Sequence, residues 1–202
     1  SASGGGFSNN NGRSELPSLA LDSDGNPVVV WDDDTSGNYE VYIKRWDGSA
    51  WVEVGAGSAS GGGISNTSGA SQYPSLALDS GDNPVVTWTD WTSGNGEVYI
   101  KRWDGSAWVE VGAGSASGGG ISSNSGNSYE PSLALDSGDK PVVAWGDYTS
   151  GNGEIYIKRW DGSAWVEVGA GAASGGGISS NSGNSSGPTL DITTDSGINL
   201  FV

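Results

Sequence analysis

Cysteine, histidine and methionine are absent from this 202-residue chain, and cationic side chains are scarce: eight lysines and arginines against 24 aspartates and glutamates, a formal charge of −16. Each absence removes chemistry. Without cysteine there is no disulfide, no thiolate metal ligand and no thiol nucleophile. Without histidine the common acyl-transfer triads cannot be assembled. A polyanion of this kind repels nucleic acid and anionic membrane, which excludes both as partners. No apolar run approaches the roughly 20 residues that span a bilayer, and no helical period of apolar residues occurs. No signal peptide is visible and the chain opens at Ser1, as expected of a processed product or a fragment.

What is present is repetition. The stretch YIKRWDGSAWVEVGAG runs from Tyr42 to Gly57, again from Tyr99 to Gly114, and again from Tyr156 to Gly171. Pro17, Pro74, Pro131 and Pro188 each stand 57 residues from the last, and the opening SASGGG matches Ser58 to Gly63 at the same offset. A period of this size denotes an array in which one supersecondary unit is laid against the next. It divides the chain into an incoming inter-unit loop (1–16), repeat 1 (17–73), repeat 2 (74–130), repeat 3 (131–187) and a partial fourth repeat or C-terminal cap (188–202).

Each unit reads as four short strands. In the first copy these are PSLALD, PVVVW after the turn SDGN, YEVYIKRW after the loop DDDTSGN, and WVEVGAG. The DGSA between the last two predicts a tight hairpin whose Asp-Gly pair supplies positive φ. The fold class is therefore all-β: a β-propeller-type array of four-stranded antiparallel blades, three full units and a terminal half unit. Near-continuous apolar strands imply sheets covered on both faces. The paired tryptophans Trp46 and Trp51, Trp103 and Trp108, and Trp160 and Trp165 are expected to fill the wedges between blades.

The WDGSAW pattern resembles bacterial secreted β-propeller repeat proteins of a Trp-Asp-Gly blade type and is similar to propeller lectins. The resemblance covers nearly the whole chain through short motifs, and it implies a secreted or cell-surface setting and glycan partners. LDSDGNPVVVW also resembles the Asp-box hairpin of sialidase-like propellers, although Ser23, Asp24 and Gly25 do not keep the Ser-x-Asp-x-Gly order.

Candidate site residues fall in the loop after each second strand. Asp33, Asp90 and Asp147 recur in every copy before a Thr-Ser-Gly-Asn run, where an aspartate can shape the loop by accepting backbone amides or contact a ligand from its rim. The next position changes from Asp34 to Trp91 to Tyr148, and the two rings are candidate sugar-stacking platforms. Asp22, Asp24 and Asn26 stand at alternate positions, as at the start of a calcium loop, but the second and third copies break the spacing, so plain turns are expected and no cofactor or metal is assigned. Glycosidase chemistry needs two carboxylates at a set separation. Here most carboxylates recur in every copy, whereas a catalytic centre is built once. The expectation is a non-enzymatic extracellular or cell-surface scaffold, associating with copies of itself through its incomplete terminal unit. The runner-up is a carbohydrate-binding propeller, and a sialidase-like glycosidase stands third.

Overall fold

Alternating valine and isoleucine with tryptophan and tyrosine suits a pleated, half-buried surface, and glycine, aspartate and asparagine interrupt each run. The computed structural model describes residues 6–192 and 198–201, and it turns each 57-residue unit into one antiparallel sheet. The first sheet holds β1 (Ser14–Leu21), β2 (Pro27–Asp33), β3 (Glu40–Trp46) and β4 (Trp51–Glu53) in that order. The second holds β5 (Ser71–Leu78), β6 (Pro84–Asp90), β7 (Glu97–Trp103) and β8 (Trp108–Glu110). The third holds β9 (Ser128–Leu135), β10 (Pro141–Asp147), β11 (Glu154–Trp160) and β12 (Trp165–Glu167), and β13 (Thr189–Ile192) pairs with β14 (Ile198–Phe201) as a two-stranded unit. Residues 1–5, 193–197 and 202, which include most of the opening SASGGG copy and part of the fourth unit, lie outside the described residues.

Two local expectations change. The outer hairpin is a four-residue loop: Trp46 pairs with Trp51, the Asp47 amide donates to the Ala50 carbonyl, and Gly48 has positive φ while Asp47 does not. The Asp47 carboxylate accepts the Ser49 and Ala50 amides, doing the work a second left-handed residue would do in a shorter turn. The fourth strand stops at Glu53. Gly55 and Gly57 take left-handed φ, and the Glu53 carboxylate accepts the amides of Gly57 and Ala59, so the chain curls away from the sheet.

The units stack side by side with their first strands touching along an axis: β1 against β5, β5 against β9, β9 against β13. Leu76 donates its amide to Ser18 Oγ (3.2 Å), Leu133 to Ser75 Oγ (3.1 Å) and Leu190 to Ser132 Oγ (2.9 Å), so the same clasp is made at three successive junctions. Each wedge is a closed apolar layer. Between the first two blades, Val28, Val30, Val41 and Ile43 meet Leu76, Val86, Trp88 and Tyr99. The outer tryptophans do pack there. Trp103 and Trp108 lie half-buried on this cluster, Trp108 Nε1 donates to the Val54 carbonyl of the preceding blade (2.8 Å), and Trp103 lies against Gly55, where any side chain would collide with its ring. The wedge centres, however, are held by Trp88 and Trp145, both fully buried, rather than by the hairpin pairs.

The turn between the first two strands of a unit also serves the junction. Asp82 and Asp139 have φ of 61° and 59°, and their carboxylates accept the amide and hydroxyl of Ser23 and Ser80 in the preceding unit. Gly25 stands at the corresponding place in unit one. Asp22 accepts the Asp24 and Asn26 amides and closes a plain turn.

Candidate ligand-binding face

Three near-identical units permit a comparison inside one molecule. Shared packing favours the same or a similar residue in every copy, so a cluster of positions that differ in chemistry stands out. Exposure alone does not produce difference: the exposed outer loop Asp47 to Ala50 is repeated unchanged at 104–107 and 161–164. Several exchanges are like for like, such as buried Val41 and Val98 for Ile155, or serve the junction turn already described.

Most exchanges that change chemistry gather at one end of the inner strands; the buried mid-strand position held by Val30, Thr87 and Ala144 and the turn position held by Asn26, Asn83 and Lys140 lie outside it. Glu15 becomes Gln72 and then Tyr129; Leu16 becomes Tyr73 and then Glu130; Asp32 becomes Thr89 and then Gly146. Asp34 becomes Trp91 and then Tyr148, while Tyr39 becomes Gly96 and then Gly153. Strand register brings them together, since β1 and β2 pair Glu15 with Asp32, and β2 and β3 pair Asp33 with Glu40. The amides of Asp34, Trp91 and Tyr148 donate to the carbonyls of Arg13, Ala70 and Asn127, which ties the loop to the start of the first strand.

At the axis the backbone is bent on purpose. Leu16, Tyr73, Glu130 and Gly187 have φ of 45°, 57°, 54° and 60°, and the ladder shifts register beside them. Three of these are not glycine, and left-handed backbone costs such residues about 1–2 kcal/mol each. A bulge of this kind re-aims a side chain. With the prolines that follow them, the four residues line one pocket of about 320 Å³ shared by all four units.

Around that pocket the units differ in kind. In unit one, Arg13 Nη2 donates to Glu15 Oε1 (2.5 Å), the Tyr39 hydroxyl donates to Glu15 Oε2 (3.1 Å), and the Arg13 amide donates to Asp34 Oδ1 (2.7 Å). The Glu15 hydrogen bond raises the guanidinium pKa further. Units two and three are aromatic instead. The ring of Trp91 lies beside Gly96, where a Cβ would stand 3.2 Å from it, and Tyr148 lies over Gly153. Glycine at those places makes room for a ring that unit one supplies from the other side, as Tyr39. Tyr148 also stacks on Tyr129, with centroids 5.1 Å apart and planes at 23°. Burial and the Tyr148 hydroxyl push the Tyr129 phenol above its ordinary range.

Beneath the loops lie the three recurrent aspartates, all buried. Asp33 accepts hydrogen bonds from Asn10 (2.6 Å), Ser14 (2.5 Å), the Thr35 amide (2.9 Å) and Trp31 Nε1 (3.4 Å). Burial alone would raise its pKa, and the serine, threonine and asparagine bonds outweigh burial and lower it. Asp90 and Asp147 repeat the arrangement with Ser71 and Thr67, and with Ser128 and Asn124. The structure thus brings Trp91 and Tyr148 to the half-exposed face and sets Asp33, Asp90 and Asp147 below it as braces for the loops. Asp32 is different. One oxygen accepts the Tyr73 amide (3.2 Å), the other has no partner among the described residues, and burial pushes its pKa up to about 6.

Tyr39, Tyr73, Tyr129, Glu15 and Glu130 were not read from the sequence as site residues. Comparing the copies position by position carries that signal, because it marks the columns where chemistry changes. Two other hollows behave oppositely. A cavity of about 660 Å³ is lined by Asn38, Glu40, Tyr42 and Thr67, and a groove of about 400 Å³ by Lys158, Trp160 and Trp165. Most of these residues recur in every unit.

No protein-family model matches the sequence, and no curated protein matches it. Among solved structures, an endo-arabinase from Bacteroides thetaiotaomicron is 12% identical over 94% of this chain and 70% of its own, with a TM-score of 0.53. An α-L-arabinanase from Penicillium chrysogenum, solved with arabinobiose, is 14% identical over 76% of this chain and 48% of its own, with a TM-score of 0.54. A fucose lectin from Kordia zhangzhouensis is 16% identical over 76% of this chain and 97% of its own, but its TM-score of 0.47 is a looser likeness. At such identities the agreement is one of fold: blades of the β-propeller class.

Proposed function

We propose that this chain is a non-catalytic carbohydrate-binding β-propeller whose ligand lies on the axial face between the loops of Asp34, Trp91 and Tyr148. One observation carries the reading: in a repeat otherwise held nearly constant, most of the positions that change chemistry lie on this face, and several change to half-exposed rings beside hydrogen-bonding groups. A pyranose or furanose offers an apolar C–H face to a ring and hydroxyls to carboxylates and amides. A strongly anionic protein suits a neutral ligand. A scaffold that served only as a spacer would have no cause to vary there, which sets the sugar-binding reading ahead of the scaffold reading. The nearby carboxylates support a binding role, since Glu15 is engaged by Arg13 and Tyr39, and Asp32 is buried.

Tryptophan fluorescence during titration with neutral saccharides, arabinobiose among them, tests this. A saturable change is expected with at least one sugar and is expected to vanish in Trp91→Ala. Silence across the saccharides, together with an empty glycan array, ends the reading.

A further inference from the structure

We infer that the axial face is one continuous site for an extended, unsymmetrical, neutral oligosaccharide, bound as one strand per protein, rather than a set of equivalent sites for single sugars. The inference rests on the carbohydrate reading above and goes further in assigning stoichiometry and ligand shape. Equivalent sites require equivalent residues. The 660 Å³ cavity comes nearer that condition, because Asn38, Glu40 and Tyr42 return as Asn95, Glu97 and Tyr99 and then as Asn152, Glu154 and Tyr156, although Thr67 becomes Asn124 and Asn181. The axial face does not meet it.

Its three sectors offer different chemistry in a fixed order around the axis. Unit one presents a hydrogen-bonding cluster of Arg13, Glu15 and Tyr39, in which the cation is already met by a carboxylate at 2.5 Å. The carboxylate offsets the charge of the guanidinium, which makes this sector a weak lure for an anionic sugar. Unit two presents the ring of Trp91, with Tyr73 at the shared pocket. Unit three presents a stacked pair, Tyr129 on Tyr148. Between them, Leu16, Tyr73 and Glu130 from successive units meet in one pocket, so the sectors are joined rather than separate. A surface that is polar at one end and aromatic at the other is complementary to a ligand long enough to touch both, with ends that differ. The strained backbone at Leu16, Tyr73 and Glu130 points the same way: a cost borne in each unit holds three unlike side chains at the shared centre.

The test is calorimetric titration of the whole chain with neutral oligosaccharides of arabinan, xylan, cellulose and mannan, each from the disaccharide to the hexasaccharide. The expected result is one bound chain per protein, with affinity rising about tenfold or more as the ligand lengthens and then levelling. Tyr129→Gln, which installs the residue unit two carries at that place, is expected to weaken the hexasaccharide several-fold and the disaccharide far less. Trp91→Tyr, which keeps a ring, is expected to retain most of the affinity, and unchanged melting temperatures confirm that both variants fold. Three sugars per chain, or an affinity independent of length, overturns the continuous site while leaving carbohydrate binding in place. Failure of every oligosaccharide to bind overturns the carbohydrate reading and this inference with it.

Discussion

Leu19 and Leu76 occupy the same place in the same SLALD motif, yet Leu19 is 60% exposed and Leu76 8%. The difference is the blade in front, which covers Leu76. Leu76→Ala should therefore cost about 2–4 kcal/mol in urea unfolding, and Leu19→Ala less than about 1 kcal/mol. Equal costs would mean that the wedge contributes little. Asp32 makes a prediction with a sign. Its folded pKa of about 6 lies above the ordinary 3.8, so the folded state holds the proton more tightly. Its contribution is favourable below the ordinary value and is lost as pH rises through about 6. Asp32→Asn keeps an acceptor for the Tyr73 amide and removes the charge. It should stabilise the protein at pH 7 by on the order of 1 kcal/mol, with the gain gone near pH 4. Residue roles were partly legible beforehand. An aspartate ahead of Thr-Ser-Gly-Asn reads as a loop brace, and the structure bonds Asp33, Asp90 and Asp147 to those loops. Trp31, Trp88 and Trp145 were not picked out as the deepest tryptophans, because spacing in a strand buried on both faces does not say which ring lies at its centre.

At the scale of elements, alternation and turn chemistry located every strand of the three full blades, and the errors lie at edges. β1 begins at Ser14, ahead of Pro17, because a bulge carries the pairing past the proline. β4 ends at Glu53, because that side chain bonds the backbone that follows. Neither event leaves a periodic trace. Gly112 tests the junction between elements. It has φ of 85° and lies against the ring of Trp160 in the next blade. Gly112→Ala combines left-handed strain with overpacking and should cost about 2–4 kcal/mol. Gly114, with φ of 82° and open space around it, should cost only the strain, about 1–2 kcal/mol. Thermal melts of the two variants separate the wedge contact from the backbone effect.

For the whole molecule, the period was legible from the prolines, and the row of blades from the strand and turn pattern that recurs with it. The proposed binding face was legible only in part, at Trp91 and Tyr148. It is assembled from the start of one strand, the end of the next and a loop, at positions where the copies disagree, whereas a search for repeats attends to agreement. Net charge acts at this scale as well. With −16 distributed over 202 residues, self-repulsion opposes the compact state, and salt that shortens the Debye length to about 10 Å near 0.1 M should raise the melting temperature. A melting temperature indifferent to salt would show that local pairing governs instead. The Ser18-to-Leu76 clasp, repeated at Ser75 and Ser132, has a further consequence, for descent rather than for stability. Every junction uses the same grip, so a duplicated unit slipped in by unequal crossing-over arrives with a fitting neighbour on each side. The rim positions that differ between copies are free to diverge once the duplicate is seated. The molecule can thus lengthen in whole steps while the proposed recognition surface is rewritten one sector at a time.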